Sequence, residues 1–461
     1  MAIEFHWVGC HETPTTGVKL CFHCTAADTV TATLNGVTKS ATADTAVHDG
    51  NVVLSWDGLS PDTVYTASVE NFTPHYAPVK ARTWPTDFLR VAHFSCVEPG
   101  AIDLWALQAS KHAPHVVIAN DDYPYTNNAV NSEYVASASS ILDSDDAAVR
   151  ADQENYAKHH RREIGKRGIQ KLFAQGCNLL YMPGDHEWCG DDWDHDATGN
   201  PSLSALFTTQ ADCDAAWDAG RKACESYMIG NPTNSDAGVV AEYPKTGAVV
   251  TVDSPTTPES NYPPLYFRVG NTAVEIFLND AISHRSPAAA TDDADKVMFG
   301  SVQQAWIEAK IAASTAPFKL WVQGKYLFPL DAEPAASDRF DKYATNRDAI
   351  LTSLNGTTCV ISVAGDKHAP NIGQTESPDM CCICACPSGV NISDHDLTFG
   401  PATQHVPATR ASTTAQVYGY GVFTTDSATM QLRRVLGDRP VWTGTFSPDS
   451  NLPTYPNRRI A

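Results

Sequence analysis

The stretch Leu179-Leu-Tyr-Met-Pro-Gly-Asp-His-Glu187 carries an apolar run straight into two carboxylates and an imidazole. Residues 179–182 are short, apolar and followed by Pro183-Gly184, which reads as a buried strand ending in a turn. Two other stretches repeat the pattern. Residues 116–119 lead into Asn120-Asp121-Asp122-Tyr123, and residues 359–364 lead into Gly365-Asp366-Lys367-His368. In all three, the polar cluster falls where a strand gives way to a loop, which is where open α/β folds assemble their sites. Asp carboxylates and His imidazoles delivered in this way suit a two-cation site that binds a phosphate between the metals.

Taken singly, each cluster has a plainer reading. An Asp pair such as Asp121-Asp122 more often makes a solvated turn or a helix cap. Asp185-His186 is sharper, because the carboxylate can hold a metal while the imidazole faces a substrate. Asp366 and His368 lie two apart on an extended segment, so both side chains can reach one ion. Three such strand ends in one chain favour a metal site over three unrelated turns. Cys96 follows an expected strand at 89–94; alone it is a buried thiol, but beside cations its thiolate is a strong ligand for a ferric centre.

Outward from these clusters the chain divides in two. From 17 to 83 apolar residues alternate: Val18, Leu20 and Phe22, then Val30, Ala32 and Leu34, then Val52, Leu54 and Trp56, then Tyr65 after the turn Leu59-Ser60-Pro61-Asp62. Several short strands at that spacing predict a small β-sandwich over residues 1–86, closed by Trp84-Pro85. After Arg90, apolar strands alternate with helical stretches at 103–112, 152–175, 211–227 and 301–314, which predicts an α/β or α+β main domain over 87–461. Further strands are expected at 265–268, 273–279 and 319–323. The segment from about 196 to 264 is rich in Asp, Gly, Pro, Thr and Asn, and reads as a long insertion able to cover the site.

Composition bounds the function. The chain has 461 residues, too many for one ordinary core, with 43% hydrophobic and 18% charged residues, a globular balance. A formal net charge of −21 excludes a protein that coats nucleic acid or an anionic membrane, since repulsion would oppose binding. Small phosphorylated substrates remain compatible, because bound cations invert the local sign. No signal peptide and no membrane span is visible, and compartment and oligomeric state stay open: cytoplasm, exterior and virus particle are all compatible. The 13 cysteines read mostly as small buried residues. The crowding of Cys381, Cys382, Cys384 and Cys386 has no chemical account at this level.

Ordered along the chain, residues 90–96, Asp121-Asp122-Tyr123-Pro124-Tyr125, Gly184-Asp185-His186-Glu187 and Gly365-Asp366-Lys367-His368 resemble the PhoD-like alkaline phosphatase/phosphodiesterase family, whose patterns there are SC, GDxxY, DDHE and GDxH. Intervening landmarks fit in order: Leu265-Tyr266-Phe267-Arg268, Asp280 with Arg285, Phe299-Gly300 with Gln303 and Trp306, and Phe340-Asp341-Lys342-Tyr343. The resemblance spans nearly the whole chain. It implies a calcineurin-like four-layer metallophosphoesterase core, with an N-terminal fibronectin-like β-sandwich in which Leu59, Pro61 and Tyr65 match. It also implies two or more metal ions, iron(III) with calcium in some members, with other divalent ions also suitable. The implied metal ligands are Cys96, a bridging Asp122, Asp185, Asp366, His368 and the phenolate of Tyr156, with Tyr123 as the weaker alternative.

The activity so implied is hydrolysis of a phosphate ester, monoester or diester. A metal-bound hydroxide would attack phosphorus in line, with His186 assisting the leaving alkoxide or touching the substrate. The lesser alternative for His186 is to orient Asp185 from behind. Three departures stand out. The family's Asp-x-Arg appears as Asp280-Ala281-Ile282, leaving Arg285, or else Lys325, as the candidate phosphate cation. Gly184 replaces the first Asp of DDHE, and Asp121 replaces the Gly of GDxxY. The other reading is a catalytically degenerate phosphatase fold with a structural or adhesive role, for instance in a virus particle. The retained ligand set favours the enzyme.

Overall fold

The computed structural model of the protein describes residues 3–43, 45, 49–72, 74, 78–95, 102–121, 123–124, 126, 130–132, 135–138, 147–187, 209–232, 266–287, 290–327, 340–357, 359–365, 371–376, 379–384, 398–399, 402–404, 419–425, 430–436 and 439–446. Strands are numbered along the chain. One nine-stranded sheet contains β1 (Ile3–Gly9), β2 (Val18–Cys24), β5 (Asn51–Trp56), β8 (Leu89–Phe94), β9 (Val116–Asn120), β12 (Asn178–Met182), β21 (Gly419–Thr425), β22 (Met430–Leu436) and β23 (Arg439–Phe446), in the order β23-β22-β21-β8-β9-β12-β1-β2-β5. An eight-stranded sheet contains β13 (Phe267–Gly270), β14 (Val274–Asn279), β15 (Phe318–Gln323), β16 (Val360–Ala364), β17 (Asn371–Glu376), β18 (Asp379–Cys384), β19 (Thr398–Phe399) and β20 (Ala402–Gln404), in the order β13-β14-β15-β16-β18-β17-β20-β19. A four-stranded sheet runs β4 (Val37–Thr42), β3 (Thr29–Leu34), β6 (Val64–Val69), β7 (Lys80–Arg82), and β10 (Val130–Ser132) pairs with β11 (Val135–Ala138).

Alternation along the strands explains the layering. In the second sheet Ile276, Leu278, Leu320, Val322, Ile361 and Val363 join the apolar cluster that also holds Val91, Val117 and Leu180 of the first sheet. Their neighbours Phe277, Trp321, Val360 and Ala364 point the other way, into a second cluster. That second cluster is closed by Ile307 and Ile311 of α6 (Ser301–Ala313) and by Ile350 and Leu351 of α7 (Ala344–Ser353). The first cluster is closed by α1 (Ile102–Ser110), α3 (Gln153–Gly165), α4 (Arg167–Phe173) and α5 (Gln210–Met228), through Ala106, Ile164, Phe173 and Trp217 among others. A short α2 (Ala147–Arg150) precedes α3. The class is mixed α/β as expected.

Two local expectations change. The single helix expected over 152–175 is two helices, parted at Lys166, whose backbone is extended at φ −60° and ψ 143°. Asp152 caps α3 by accepting from the Glu154 N–H at 3.0 Å. The start of α4 is instead held by α1: the Gly168 N–H donates to Asp103 Oδ1 at 2.6 Å, and a Cβ on Gly168 would lie 2.5 Å from the Asp103 carbonyl oxygen. The second change concerns β2, expected to bury one side. All seven of its residues are buried, five of them in the first apolar cluster, so both of its faces are covered.

Within residues 3–82 the strands pair as β1-β2-β5 and as β4-β3-β6-β7. The Tyr65 hydroxyl accepts from the Ser60 N–H at 2.8 Å, tying the Leu59–Asp62 turn to the strand that follows it. This part is joined to the rest by a parallel pairing of β1 with β12, and by Trp84 Nε1 donating to Asn178 Oδ1 at 2.6 Å.

Candidate active site

In the first sheet β8, β9 and β12 run parallel, and in the second β14, β15 and β16 run parallel. The C-terminal ends of the two sets meet. Asn120 Nδ2 donates to the Gln323 carbonyl oxygen at 3.4 Å, and the Gly365 N–H donates to the Gly324 carbonyl oxygen at 2.8 Å. Residues following β8, β9 and β16 also touch: a Cβ on Gly365 would lie 2.6 Å from the Asp121 Cβ and 2.9 Å from the Ser95 Cβ. Ser95, Asp121 and Gly365 are the chain neighbours of Cys96, Asp122 and Asp366.

Asp121 turns out of β9 in a left-handed conformation, φ 64°, its N–H donating to the Met182 carbonyl oxygen at 3.1 Å. Asp tolerates that region better than most residues. Its carboxylate is fully buried in a cradle of glycines: a Cβ on Gly184 would lie 1.9 Å from Oδ1, and on Gly324 3.3 Å from Oδ1. Asp185, also fully buried, spends Oδ1 on the His186 N–H at 3.0 Å and turns Oδ2 towards Lys325 Nζ at 3.4 Å. The same ammonium lies 3.9 Å from Asp121 Oδ1. Lys325 is itself buried, its backbone N–H held by Gln323 Oε1 at 3.0 Å. Two carboxylates and an ammonium without solvent make a site where each charge depends on its neighbours.

Glu187 fastens this region. It accepts from the Tyr123 N–H at 2.5 Å and the Gly184 N–H at 2.9 Å, joining the loops after β9 and β12. Burial pushes its carboxyl up to about 8, against the two backbone donors, which pull it down, while Asp185 adds to the rise. The His186 carbonyl oxygen accepts from Thr126 Oγ1 at 2.5 Å, and the residue is 6% exposed. Helix α5, inside the expected insertion, reaches the same loop: Cys224 Sγ donates to the Glu187 carbonyl oxygen at 3.9 Å.

Of the expected metal ligands, Asp185 sits in this cluster, and Cys96, Asp122, Asp366 and His368 lie outside the described residues. Tyr156 is buried on α3 within the first apolar cluster. Tyr123 is buried among Phe94 and Tyr181, with ring centroids 5.3 and 5.7 Å away, and burial raises its phenol well above the ordinary range. Among the described residues no three His, Cys, Asp or Glu side chains close around one point. The buried Asp121 and Asp185 oxygens are nevertheless hard donors of the kind a calcium or ferric ion takes, so the donor chemistry fits such an ion.

Of the cations, Lys325 stands beside Asp185, whereas Arg285 is buried on the loop after β14. Ile282 lies in the apolar core, so nothing cationic extends from that position. An arginine does reach the segment from elsewhere. Arg221 of α5 donates to Ser283 Oγ at 3.0 Å and lies 3.9 Å from Asp280 Oδ2. The sequence offered no sign of it beyond a helical pattern, because the pairing spans distant parts of the chain. A polar cleft of about 530 Å³, lined by Thr86, Arg268 and Glu275 among others, opens at the opposite end of β14, away from these groups.

Two stacked mixed sheets whose parallel strand ends gather buried carboxylates around a cation have the form of a phosphoesterase. The chain belongs to the PhoD-like phosphatase family, whose model matches residues 91–382. No curated protein matches it. Among solved structures it is similar to a structure of PhoD, with a TM-score of 0.70 at 13% identity, covering 98% of this chain and 91% of that one. It is also similar to purple acid phosphatase PPD1 from yellow lupin (Lupinus luteus) seeds, with a TM-score of 0.60 at 11% identity, covering 97% and 74%. At such identities these two likenesses show the fold.

Proposed function

We propose that the protein is a metal-dependent hydrolase of phosphate monoesters or diesters. The observation that carries this reading is the meeting of Ser95, Asp121, Asp185 and Gly365 at the ends of β8, β9, β12 and β16. Each is a candidate ligand or its chain neighbour. By family resemblance Cys96, Asp122, Tyr156, Asp185, Asp366 and His368 would hold iron(III) and calcium. The ions would supply an activated water and neutralise phosphate oxygens.

The chain's own residues do the rest. Asp185 turns Oδ2 into the site while the His186 N–H holds Oδ1. His186, its backbone held on both sides, is read as the group that would give a proton to the departing alkoxide. Lys325 offers an ammonium for a phosphate oxygen, a role shared with Arg285 if the loop after β14 contacts the ester. Burial keeps competing water away from these charges. Residues 1–86 are read as a fibronectin-like sandwich, supported by the four-stranded sheet β4-β3-β6-β7 and the Tyr65–Ser60 bond.

The test is elemental analysis of protein purified without chelator, together with turnover of nitrophenyl phosphate and bis(nitrophenyl) phosphate. We expect bound metal and hydrolysis of at least one ester, with Asp185→Asn slower by about 10²-fold or more. An empty site and no turnover on adding iron, calcium or manganese would overturn the proposal.

A further inference from the structure

We infer that α5 is a strut between the two sheets, and that Arg221 is a positioning residue through which it sets the loop after β14 against the loop after β12. Its bearing on turnover rests on the phosphoesterase reading above, whereas the coupling of the two loops does not.

The carboxyl end of α5 is knitted into the first sheet. β1 and β12 pair at Gly9 and Leu179, and past that point Asn231 bonds β12 directly. Its Oδ1 accepts from the Tyr181 N–H at 3.0 Å, and its Nδ2 donates to the Tyr181 carbonyl oxygen at 2.6 Å. The Gly230 carbonyl oxygen accepts from the Cys10 N–H at 2.7 Å, and the Ser226 carbonyl oxygen accepts from Asn51 Nδ2 at 2.9 Å. Trp217, Ala219 and Ala223 add the apolar face of the helix to the first cluster. A helix held at so many buried points moves with its sheet rather than over it.

From this helix, two side chains one turn apart reach two different loops. Cys224 Sγ donates to the Glu187 carbonyl oxygen at 3.9 Å, on the loop that carries Asp185 and His186. Arg221 Nη1 donates to Ser283 Oγ at 3.0 Å and faces Asp280 Oδ2 at 3.9 Å, on the loop that leads to Arg285. These loops leave the ends of β12 and β14, strands of different sheets, on the side where the candidate site gathers. Residues three apart on a helix share a face, so α5 itself sets the spacing of the loops.

Arg221 suits this task. Its Nε donates to Glu225 Oε1 at 2.7 Å, which holds the guanidinium on the helix while Nη1 reaches the loop. Asp280 Oδ1 accepts from the Ile282 and Ser283 N–H groups, each at 2.9 Å, so the carboxylate that Arg221 faces also shapes the loop. Arg221 and Asp280 are both fully buried, and solvent screens their attraction little. A planar fork serves helix and loop together, which the single ammonium of a lysine does not.

The experiment compares the full chain with Arg221→Leu, Arg221→Lys and Ser283→Ala. The last removes a single bond and keeps the comparison open if Arg221→Leu does not fold. Amide hydrogen exchange is followed by mass spectrometry over 184–187 and 280–285, with β3 and α7 as remote references. Values of kcat/KM are measured for nitrophenyl phosphate and bis(nitrophenyl) phosphate. We expect exchange in both loops to quicken about tenfold or more in Arg221→Leu and less in the other two, with β3 and α7 as in the parent. The ratio of kcat/KM for the two esters should shift by about threefold or more, because the esters differ in bulk between these loops. Faster exchange at 280–285 alone would make Arg221 a local bond and overturn the strut. A uniform rise over all four segments, or no rise at all, would overturn it as well. Both loops loosened with an unchanged ester ratio would overturn the positioning role. A parent that hydrolyses neither ester would overturn the phosphoesterase reading and the positioning role with it, and the exchange pattern would still decide the strut.

Discussion

Asp121 shows how one side chain is decided by the absence of another. Its carboxylate fits only because positions 184 and 365 lack a Cβ, and the left-handed turn at φ 64° directs it there. Gly184→Ala should therefore destabilise the parent by about 1–3 kcal/mol, the usual consequence of overpacking a buried site. The penalty should shrink in an Asp121→Gly background, leaving only the 2.7 Å approach to the residue 121 Cα. Urea unfolding of the four proteins measures the coupling, and strictly additive effects would contradict it. Both departures were legible in the sequence as separate anomalies. That they share one space was not, because 62 residues of chain lie between them in the sequence, and only the fold brings them together. Asp185 and His186 were legible, being adjacent and following a strand. Lys325 was legible only as an alternative to Arg285, since nothing local says that the turn after β15 faces Asp185.

At the scale of elements, strand ends are placed by what fastens them. Gln303 on α6 is fully buried and makes four bonds with the end of β14 and its own helix start. Its Oε1 accepts from Asn279 Nδ2 at 3.0 Å and the Asp280 N–H at 2.7 Å, and its Nε2 donates to the carbonyl oxygens of Asp280 at 2.8 Å and Phe299 at 3.1 Å. Gln303→Leu keeps the volume and orphans those groups, so it should cost about 2–4 kcal/mol, read as a lowered chemical-denaturation midpoint. An unchanged midpoint would show that water or other groups take over the bonds. Strands were the readiest elements to see in the sequence: 116–119 and 179–182 are apolar throughout because both faces are covered. The break between α3 and α4 was hidden, because no proline marks it; it follows from the docking of α4 on Asp103 of α1, a tertiary contact. Of the crowded cysteines, Cys382 is the one whose side chain is described. β18 lies inside the second sheet between β16 and β17, and its Cys382 is buried with Sγ donating to Ser362 Oγ at 3.6 Å.

Across the whole molecule, the nine-stranded sheet runs from β23 near the carboxyl end to β5 near the amino end, so distant parts of the chain share one hydrogen-bonded surface. Helices α3 and α5 are tied to residues 23–51 as well: Arg161 Nη1 donates to Asp49 Oδ1 at 3.1 Å, and the Tyr227 hydroxyl bonds the same carboxylate. Several histidines in this body are held neutral. Burial lowers His6 and His23 from 6.5 to about 4, and His160 to about 3. The unfolded chain protonates them below about pH 6.5 and the folded one does not, so their contribution is whole above pH 6.5 and declines as pH falls towards 4. Each contributes on the order of 2–3 kcal/mol to that loss. Thermal melting between pH 8 and 4 should show the decline, and His6→Asn should flatten it; an equal slope in the variant would count against His6.

What the sequence determined by itself was the material of the site and of the sheets. Apolar runs ending in Asp and His specify buried strands with polar ends, because the period of burial and the chemistry of the side chains are both local properties. What only the tertiary structure decided was which ends meet: Asp121 over Gly184, Lys325 between two carboxylates, and Arg221 beside Asp280. These depend on how two sheets align through a shared apolar core that no short segment encodes alone.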